Sequence, residues 1–372
     1  MTGAARAGRE TDLGTLPTVR RPTLRDVAER AGVHPATASR ALNPHTRELV
    51  NDETAKRVIR AARSLGYRPN PIARSLKTSR SASIGVVIPD LTNPLFPPIV
   101  RGVEDELGPA GYNAWIVNTD NDPEREGAQV ESLRSRQVEG LIVAAARRSH
   151  PLLEDFAAEG MPMVLVNRRL DRTDVPAVTA DDATGVAVAV RHLVELGHRR
   201  IAHLAGPQDT STGLVRLRAY HQALRDHGLP DDPGLVATCD SWTLAEGARA
   251  LALLLDRGAR FTAVLAGNDL LALGCYDALE ERGLSCPEAV SVVGFNDIPF
   301  VDRVRPPLTT VRIPHYQIGV EAARMLLEAL RDPDRHPRSV LLPVSLVVRQ
   351  STAAPPGPRD GRGSPSLRPA TV

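Results

Sequence analysis

The chain has 372 residues, 42% of them hydrophobic, and a formal net charge of only +2. That length predicts two or three domains with ample core, and no apolar run approaches the length that crosses a bilayer. Around Arg6, Arg9, Glu10 and Asp12 the N-terminus offers no apolar core for a secretory signal. Cys239, Cys275 and Cys286 are too few and too scattered for a disulfide framework or a zinc site, which predicts a cytoplasmic protein with buried thiols. The charge is unevenly placed. Residues 1–80 hold 14 Arg and 2 Lys against 7 Asp and Glu, a balance of +9, which leaves −7 for the rest. A basic head on an acidic body is the electrostatic footprint of a nucleic-acid binder.

Residues 1–20 are rich in Gly, Ala, Thr and Arg without periodicity and are expected to form a flexible arm. Thr23 is placed to cap a helix whose apolar positions Leu24, Val27 and Ala28 fall at i, i+3 and i+4. Gly32 breaks that helix, and Pro35 suits the first position of a second, where a missing N–H costs nothing. Two short helices joined by such a turn form either an ordinary αα-hairpin or a helix-turn-helix whose second helix reads a major groove. A third helix fits Asp52–Leu65, with Ala55, Val58, Ile59, Ala62 and Leu65 on one face.

From Ser83 the pattern changes to short apolar strands alternating with helices, which implies parallel strands with crossover helices. Strands are expected at Ile84–Ile88, Asn113–Val117, Gly140–Ala144 and Met163–Val166, with helices at Ile99–Leu107, Glu124–Arg136 and Leu152–Glu159. A second series follows. Its helices fall at Ala183–Leu196, Leu214–His227, Leu244–Arg257 and Leu270–Arg282, and its strands at Ile201–Leu204, around Val236, at Ala263–Ala266 and at Val290–Val293. Two doubly wound units predict two similar lobes around a cleft. A further helix at His315–Leu330 and a further strand at Leu341–Val348 complete the body. Residues 351–372, rich in Pro, Gly and Arg, are expected to be disordered.

Four segments stand in one order: Thr23-Leu-Arg-Asp-Val-Ala-Glu-Arg-Ala-Gly-Val, Thr37-Ala-Ser-Arg-Ala-Leu-Asn43, Gly66-Tyr-Arg-Pro-Asn70 and Ala73-Arg-Ser-Leu-Lys77. Together they resemble the DNA-binding domain and hinge helix of the LacI/GalR family of repressors, and the later pattern extends the resemblance to nearly Gln350. It implies an all-α helix-turn-helix head at 21–66, a hinge at 67–80 and an α/β body at 81–350 of two doubly wound parallel-sheet lobes, like a type I periplasmic binding protein. The lobes would comprise about 83–180 with 313–338, and about 181–312 with 339–350.

For the head, the resemblance implies base contacts at Pro35, Ala36 and Arg40, with Thr23 and Thr37 on the DNA backbone and Ser39, Asn43, Tyr67 and Asn70 also at the DNA. Arg40 is suited to a bidentate pair with guanine. Where the family usually has Ser and Val, this chain has His34 and Ala38, and His34 is a weaker N-cap than Ser. The segment Ile72–Leu76 is too short to be a stable helix alone. The family pattern makes Leu76 a minor-groove wedge, Ala73 the close contact between paired hinges, and Lys77 a neighbour of the groove.

For the body, the resemblance implies effector contacts at Asn93, Phe96, Asn167, Arg168, Arg216, Trp242, Asn268 and Asn296. Most of these follow predicted strands, where ligands of such sheets bind. Members often carry Asp where this chain has Asn167 and Asn296, which disfavours a cationic effector, while Arg216 leaves an anionic one open. Arg and Asn around an aromatic face suit a neutral, hydroxyl-rich molecule. The expected function is a sequence-specific DNA-binding regulator of the repressor kind. It would bind a palindromic operator as a homodimer or homotetramer and be switched by a small polar effector, a sugar or sugar derivative. No cofactor or metal is called for. A transport solute-binding protein shares the two-lobe body but needs an export signal and no DNA-binding head. An enzyme needs a catalytic constellation, and neither a P-loop, Gly-x-Gly-x-x-Gly after a strand, His-Glu-x-x-His nor Gly-x-Ser-x-Gly is present.

Overall fold

The computed structural model describes residues 22–43, 46–68, 81–171, 174–334 and 336–356. They divide into two compact units, one up to residue 80 and one from Ser81. The expectations at Asn70, Ala73, Leu76 and Lys77, the arm at 1–20, and the tail beyond 356 lie outside the described residues.

The head is three helices, α1 (Leu24–Ala31), α2 (Pro35–Leu42) and α3 (Asp52–Leu65). Thr23 and Asp26 form a reciprocal capping box at the start of α1, and Gly32 ends it in the left-handed conformation (φ 62°) that glycine adopts without penalty. His34 stands at the N-cap of α2. Its Nδ1 accepts from the Ala36 amide at 3.2 Å and so meets one of the unpaired donors of α2. Val27, Ala28, Ala38, Ala41, Ala55 and Val58 close the core. The small side chains let three short helices approach closely.

The body contains two six-stranded sheets. The first lobe runs β1 (Ser83–Ile88), α4 (Phe96–Leu107), β2 (Asn113–Asn118), α5 (Pro123–Ser135), β3 (Gly140–Val143), α6 (Pro151–Ala158), β4 (Met163–Val166) and β5 (Ala177–Ala180). The second runs α7 (Asp182–Glu195), β6 (Ile201–Ala205), α8 (Ser211–Asp226), β7 (Val236–Thr238), α9 (Leu244–Asp256), β8 (Ala263–Ala266), α10 (Asp269–Glu280), β9 (Ser291–Asn296) and β10 (Thr309–Arg312). The chain then returns through α11 (His315–Arg331) and β11 (Val340–Leu342) to the first lobe, and ends the second with β12 (Ser345–Val347). The strand orders are β11-β5-β4-β3-β1-β2 and β12-β10-β9-β8-β6-β7. Every pairing is parallel except β10 with β12. Helix α11 lies against α4 at an unusually close crossing. A Cβ added to Gly102 would sit 2.2 Å from the Tyr316 carbonyl oxygen, and one on Gly319 would sit 2.0 Å from that of Ile99.

Three expectations are corrected. The single strand expected at Leu341–Val348 is two, because Pro343 carries no N–H for a ladder; β11 joins the first sheet and only β12 the second, so 340–342 do not belong to the second lobe. Strands β5 and β10 were not expected, since Ala177–Ala180 and Thr309–Arg312 carry few large apolar residues. Residues 351–356 are not a free tail. The buried Ser351 hydroxyl donates to the Val292 carbonyl at 2.6 Å and accepts from the Thr309 amide at 2.7 Å. Buried His198 bonds the Thr262 hydroxyl through Nδ1 at 2.8 Å and the Ala353 carbonyl through Nε2 at 2.9 Å, a structural role that clamps this segment onto the lobe.

Candidate functional site

Between the lobes, at the carboxyl ends of the strands, lies a narrow cavity of about 20 Å³. All eight expected effector residues line it: Asn93, Phe96, Asn167 and Arg168 from the first lobe, and Arg216, Trp242, Asn268 and Asn296 from the second. Leu95 and Thr212 complete the lining. Neither was legible beforehand, because α4 and α8 begin a turn earlier than apolar periodicity indicated.

Arg216 organises the second-lobe wall. It is almost fully buried, and its Nε and Nη2 donate to the Asp182 carboxylate at 2.9 and 2.8 Å. Nη1 donates to the Gly267 carbonyl at 2.7 Å, and Nη2 also faces Asn296 Oδ1 at 3.5 Å. Its guanidinium stacks on Phe295 at 3.8 Å from the ring centroid, with Trp242 at 5.7 Å. Asp182 had no sequence signal; it caps nothing and follows a strand of the other lobe. Burial pushes its pKa up, with Arg216 acting against that. The Trp242 ring occupies room that glycine provides, for a Cβ on Gly206 would lie 2.0 Å from it.

The asparagines are committed in a consistent sense. Asn268 Oδ1 accepts from the Leu271 amide at 2.8 Å as the N-cap of α10, and Asn93 Oδ1 accepts from the Leu95 amide at 3.0 Å. Because the partners are N–H donors, the oxygen assignment is fixed and the NH2 of each is left for the cavity. Asn167 and Asn296 take positive φ of 64° and 118°, which Asn tolerates better than most residues.

Arg168 differs from Arg216. It is 4% exposed, its Nε has no partner, and no carboxylate lies in ion-pair range of it among the described residues. Burial pushes its pKa down to about 10, so it remains a cation at neutral pH.

At the rim the lobes are bonded directly. The Arg148 amide donates to the Asp209 carbonyl at 2.8 Å, and its guanidinium reaches the Gln208 carbonyl at 3.2 Å and Asp171 at 2.6 Å. The Arg169 amide donates to Ser211 Oγ at 3.0 Å.

In the head, Pro35, Ala36, Thr37, Ser39 and Arg40 lie on α2 with Asn43 at its end, and Arg40 is exposed. Thr23 lies at the start of α1, while Tyr67 is half-buried against the head core.

Residues 23–70 match the family described as bacterial regulatory proteins, lacI family, and residues 81–350 match periplasmic binding proteins and sugar binding domain of LacI family. The chain is 35% identical to the HTH-type transcriptional repressor CytR of Escherichia coli strain K12, over 90% of this chain and 97% of that protein. It is 33% identical to the ribose operon repressor of Bacillus subtilis strain 168, over 89% and 98%. Among solved structures, the lac repressor dimer bound to operator and the anti-inducer ONPF superposes with a TM-score of 0.80 at 29% identity, covering 90% of this chain and all of that one. The transcriptional regulator CelR–cellobiose complex superposes with a TM-score of 0.68 at 33% identity, covering 89% and 100%. With both its head and its body matched over nearly their whole length, the chain belongs to the LacI family of transcriptional regulators.

Proposed function

We propose that this protein is a cytoplasmic transcriptional repressor that binds a palindromic operator as a homodimer or a higher homo-oligomer and is controlled by a small polar effector, a sugar or sugar derivative, held between its lobes. The carrying observation is the convergence of eight residues from two lobes on one cavity, in a chain that also bears a helix-turn-helix. Such a cavity belongs to binding rather than covalent chemistry, because its carboxamides and guanidinium groups supply donors but no nucleophile paired with a base. Solved relatives described with cellobiose and with bound ribose support a sugar-like effector.

In this reading α2 enters the major groove, with Arg40 on a base edge and Thr23, Thr37 and Ser39 on the backbone. Residues 67–80 form the hinge, where Leu76 wedges into the central base step. The effector acts through different affinities for two lobe arrangements, which bias the hinge. The test is a gel-shift titration with genomic fragments, repeated with sugars that raise the thermal midpoint. Specific retardation relieved or strengthened by such a sugar is expected. No sequence-specific retardation under any condition overturns the reading.

A further inference from the structure

We infer that the effector is a sugar derivative carrying one anionic group, a carboxylate or a phosphate, and that Arg168 receives it. This rests on the reading of the cleft as the effector site and narrows its ligand class.

The donors and acceptors of the cavity are unbalanced. Its lining holds two arginines and four asparagines and no carboxylate. Asp182, the acid nearest in function, is consumed by Arg216, whose three nitrogens all have protein acceptors. Asn93 and Asn268 have spent their carbonyl oxygens on backbone amides, and Asn296 faces Arg216 with its own. What remains for a ligand is chiefly N–H donors, with the Asn167 carboxamide and the Thr212 hydroxyl beside them. A ligand rich in acceptors fits such a wall better than a cationic one.

Arg168 adds a charge to that set. A buried cation without a partner is costly, and buried charges are ordinarily paired. The nearest acids do not reach Arg168 at ion-pair distance: Glu126 and Asp209 each stand 3.9 Å from the Arg147 guanidinium, and Glu126 Oε1 has no hydrogen-bond partner among the described residues. A planar guanidinium matches a carboxylate or phosphate with two parallel bonds, which a neutral hydroxyl cannot reproduce. A ligand anion therefore supplies what the folded protein leaves missing, in the cavity that Arg168 of the first lobe shares with Asn268 and Asn296 of the second.

The test uses Trp242 as the reporter in a Trp115→Phe background, because these are the only two tryptophans in the chain. Glucose, glucuronate and glucose 6-phosphate, and ribose with ribose 5-phosphate, are titrated into the full-length protein. An anionic member is expected to change Trp242 fluorescence with a dissociation constant at least tenfold below that of its neutral parent; the uronate and phosphate arms separate the two anions. Arg168→Gln should shrink that advantage to less than threefold, and Arg168→Lys, which keeps charge but not the fork, should retain part of it. Should Arg168→Gln fail to fold, competition on the unsubstituted protein decides. Inorganic phosphate at constant ionic strength should weaken binding of the acidic sugar and leave a neutral one unaffected. A neutral sugar binding as tightly as its acid, or an anionic advantage that survives Arg168→Gln, overturns the inference but leaves the cleft as the effector site. No response of Trp242 to any sugar overturns both.

Discussion

Arg216 on α8 and Asp182 at the start of α7 form a buried ion pair at 2.8 Å, their side chains 4% and 9% exposed. The pair lies behind the cavity rather than across it, and it fixes the guanidinium under Trp242. Removing one partner of such a pair leaves an uncompensated charge and costs about 3–5 kcal/mol. Arg216→Ala is therefore expected to lower the unfolding free energy by that order in urea titrations, and also to abolish effector binding by disordering the wall. A variant with unaltered stability and an unaltered ligand dissociation constant by calorimetry would show that Arg216 neither braces nor lines the site.

The rim contact between Arg148 and the 208–209 backbone joins the lobes without touching the cavity lining. Arg148→Ala removes the guanidinium bonds to Gln208 and Asp171 while keeping the amide bond. A net loss of about 1 kcal/mol is expected for the closed arrangement, since the side chain is partly solvated. The effector should bind roughly fivefold more weakly, mainly through faster dissociation, as read by stopped-flow fluorescence. A dissociation rate equal to that of the unsubstituted protein would remove the contact from the closing equilibrium.

Asp269 offers a pH test. Its buried carboxylate accepts from the Ile298 amide at 2.8 Å and from the Thr310 hydroxyl, yet burial raises its pKa from 3.8 to about 6. The folded state thus holds this proton more tightly than the unfolded chain. Stability from this group is greatest below about pH 4 and declines as pH rises towards about 6, by on the order of 2–3 kcal/mol. Asp269→Asn should flatten that slope in denaturation curves taken across the window, and a slope unchanged by the substitution would refute the assignment.

Much of this was legible in the sequence because the signals were local. Helix punctuation at Thr23, Gly32 and Pro35, and apolar runs such as Ile84–Ile88, report their own conformation. Eight of the ten residues that line the cavity came from the family resemblance, with Asn93, Asn167, Arg168, Asn268 and Asn296 also legible as polar residues placed after strands. The rest depends on contacts distant in the chain. Asp182 acquires its role from Arg216, 34 residues away, and Ser351 from Val292 and Thr309. Strands β5 and β10 are strands because neighbours pair with them, not because Ala177–Ala180 or Thr309–Arg312 carry a strong pattern.

His34 provides a test in the head. Its Nδ1 caps α2, and losing an N-cap acceptor costs about 1 kcal/mol. His34→Ala should lower head stability by that amount and weaken operator binding, because the entry of the reading helix is no longer fixed. His34→Ser, which restores an acceptor of ordinary capping geometry, should recover both. Failure of Ser to rescue would mean that His34 acts on DNA directly rather than through the cap.

Arg40 decides how the head reads sequence. It lies in the last turn of α2, exposed, while Ala38 and Ala41 on either side of it are buried in the head core, so its side chain points away from that core. A guanidinium so placed can meet a guanine edge or a phosphate, and the two differ in what its removal does. A bidentate base contact is worth about 1–3 kcal/mol of discrimination at one position, whereas a phosphate contact carries no sequence information. Arg40→Gln is expected to relax discrimination roughly tenfold or more at a single base pair of each half-site, with the salt dependence of binding nearly unchanged. Binding to operators substituted one position at a time, each at several salt concentrations, separates the cases. Uniform weakening across all operators, with a salt slope reduced by about one, would place Arg40 on the backbone and leave sequence reading to Pro35, Ala36 and the shape of the DNA.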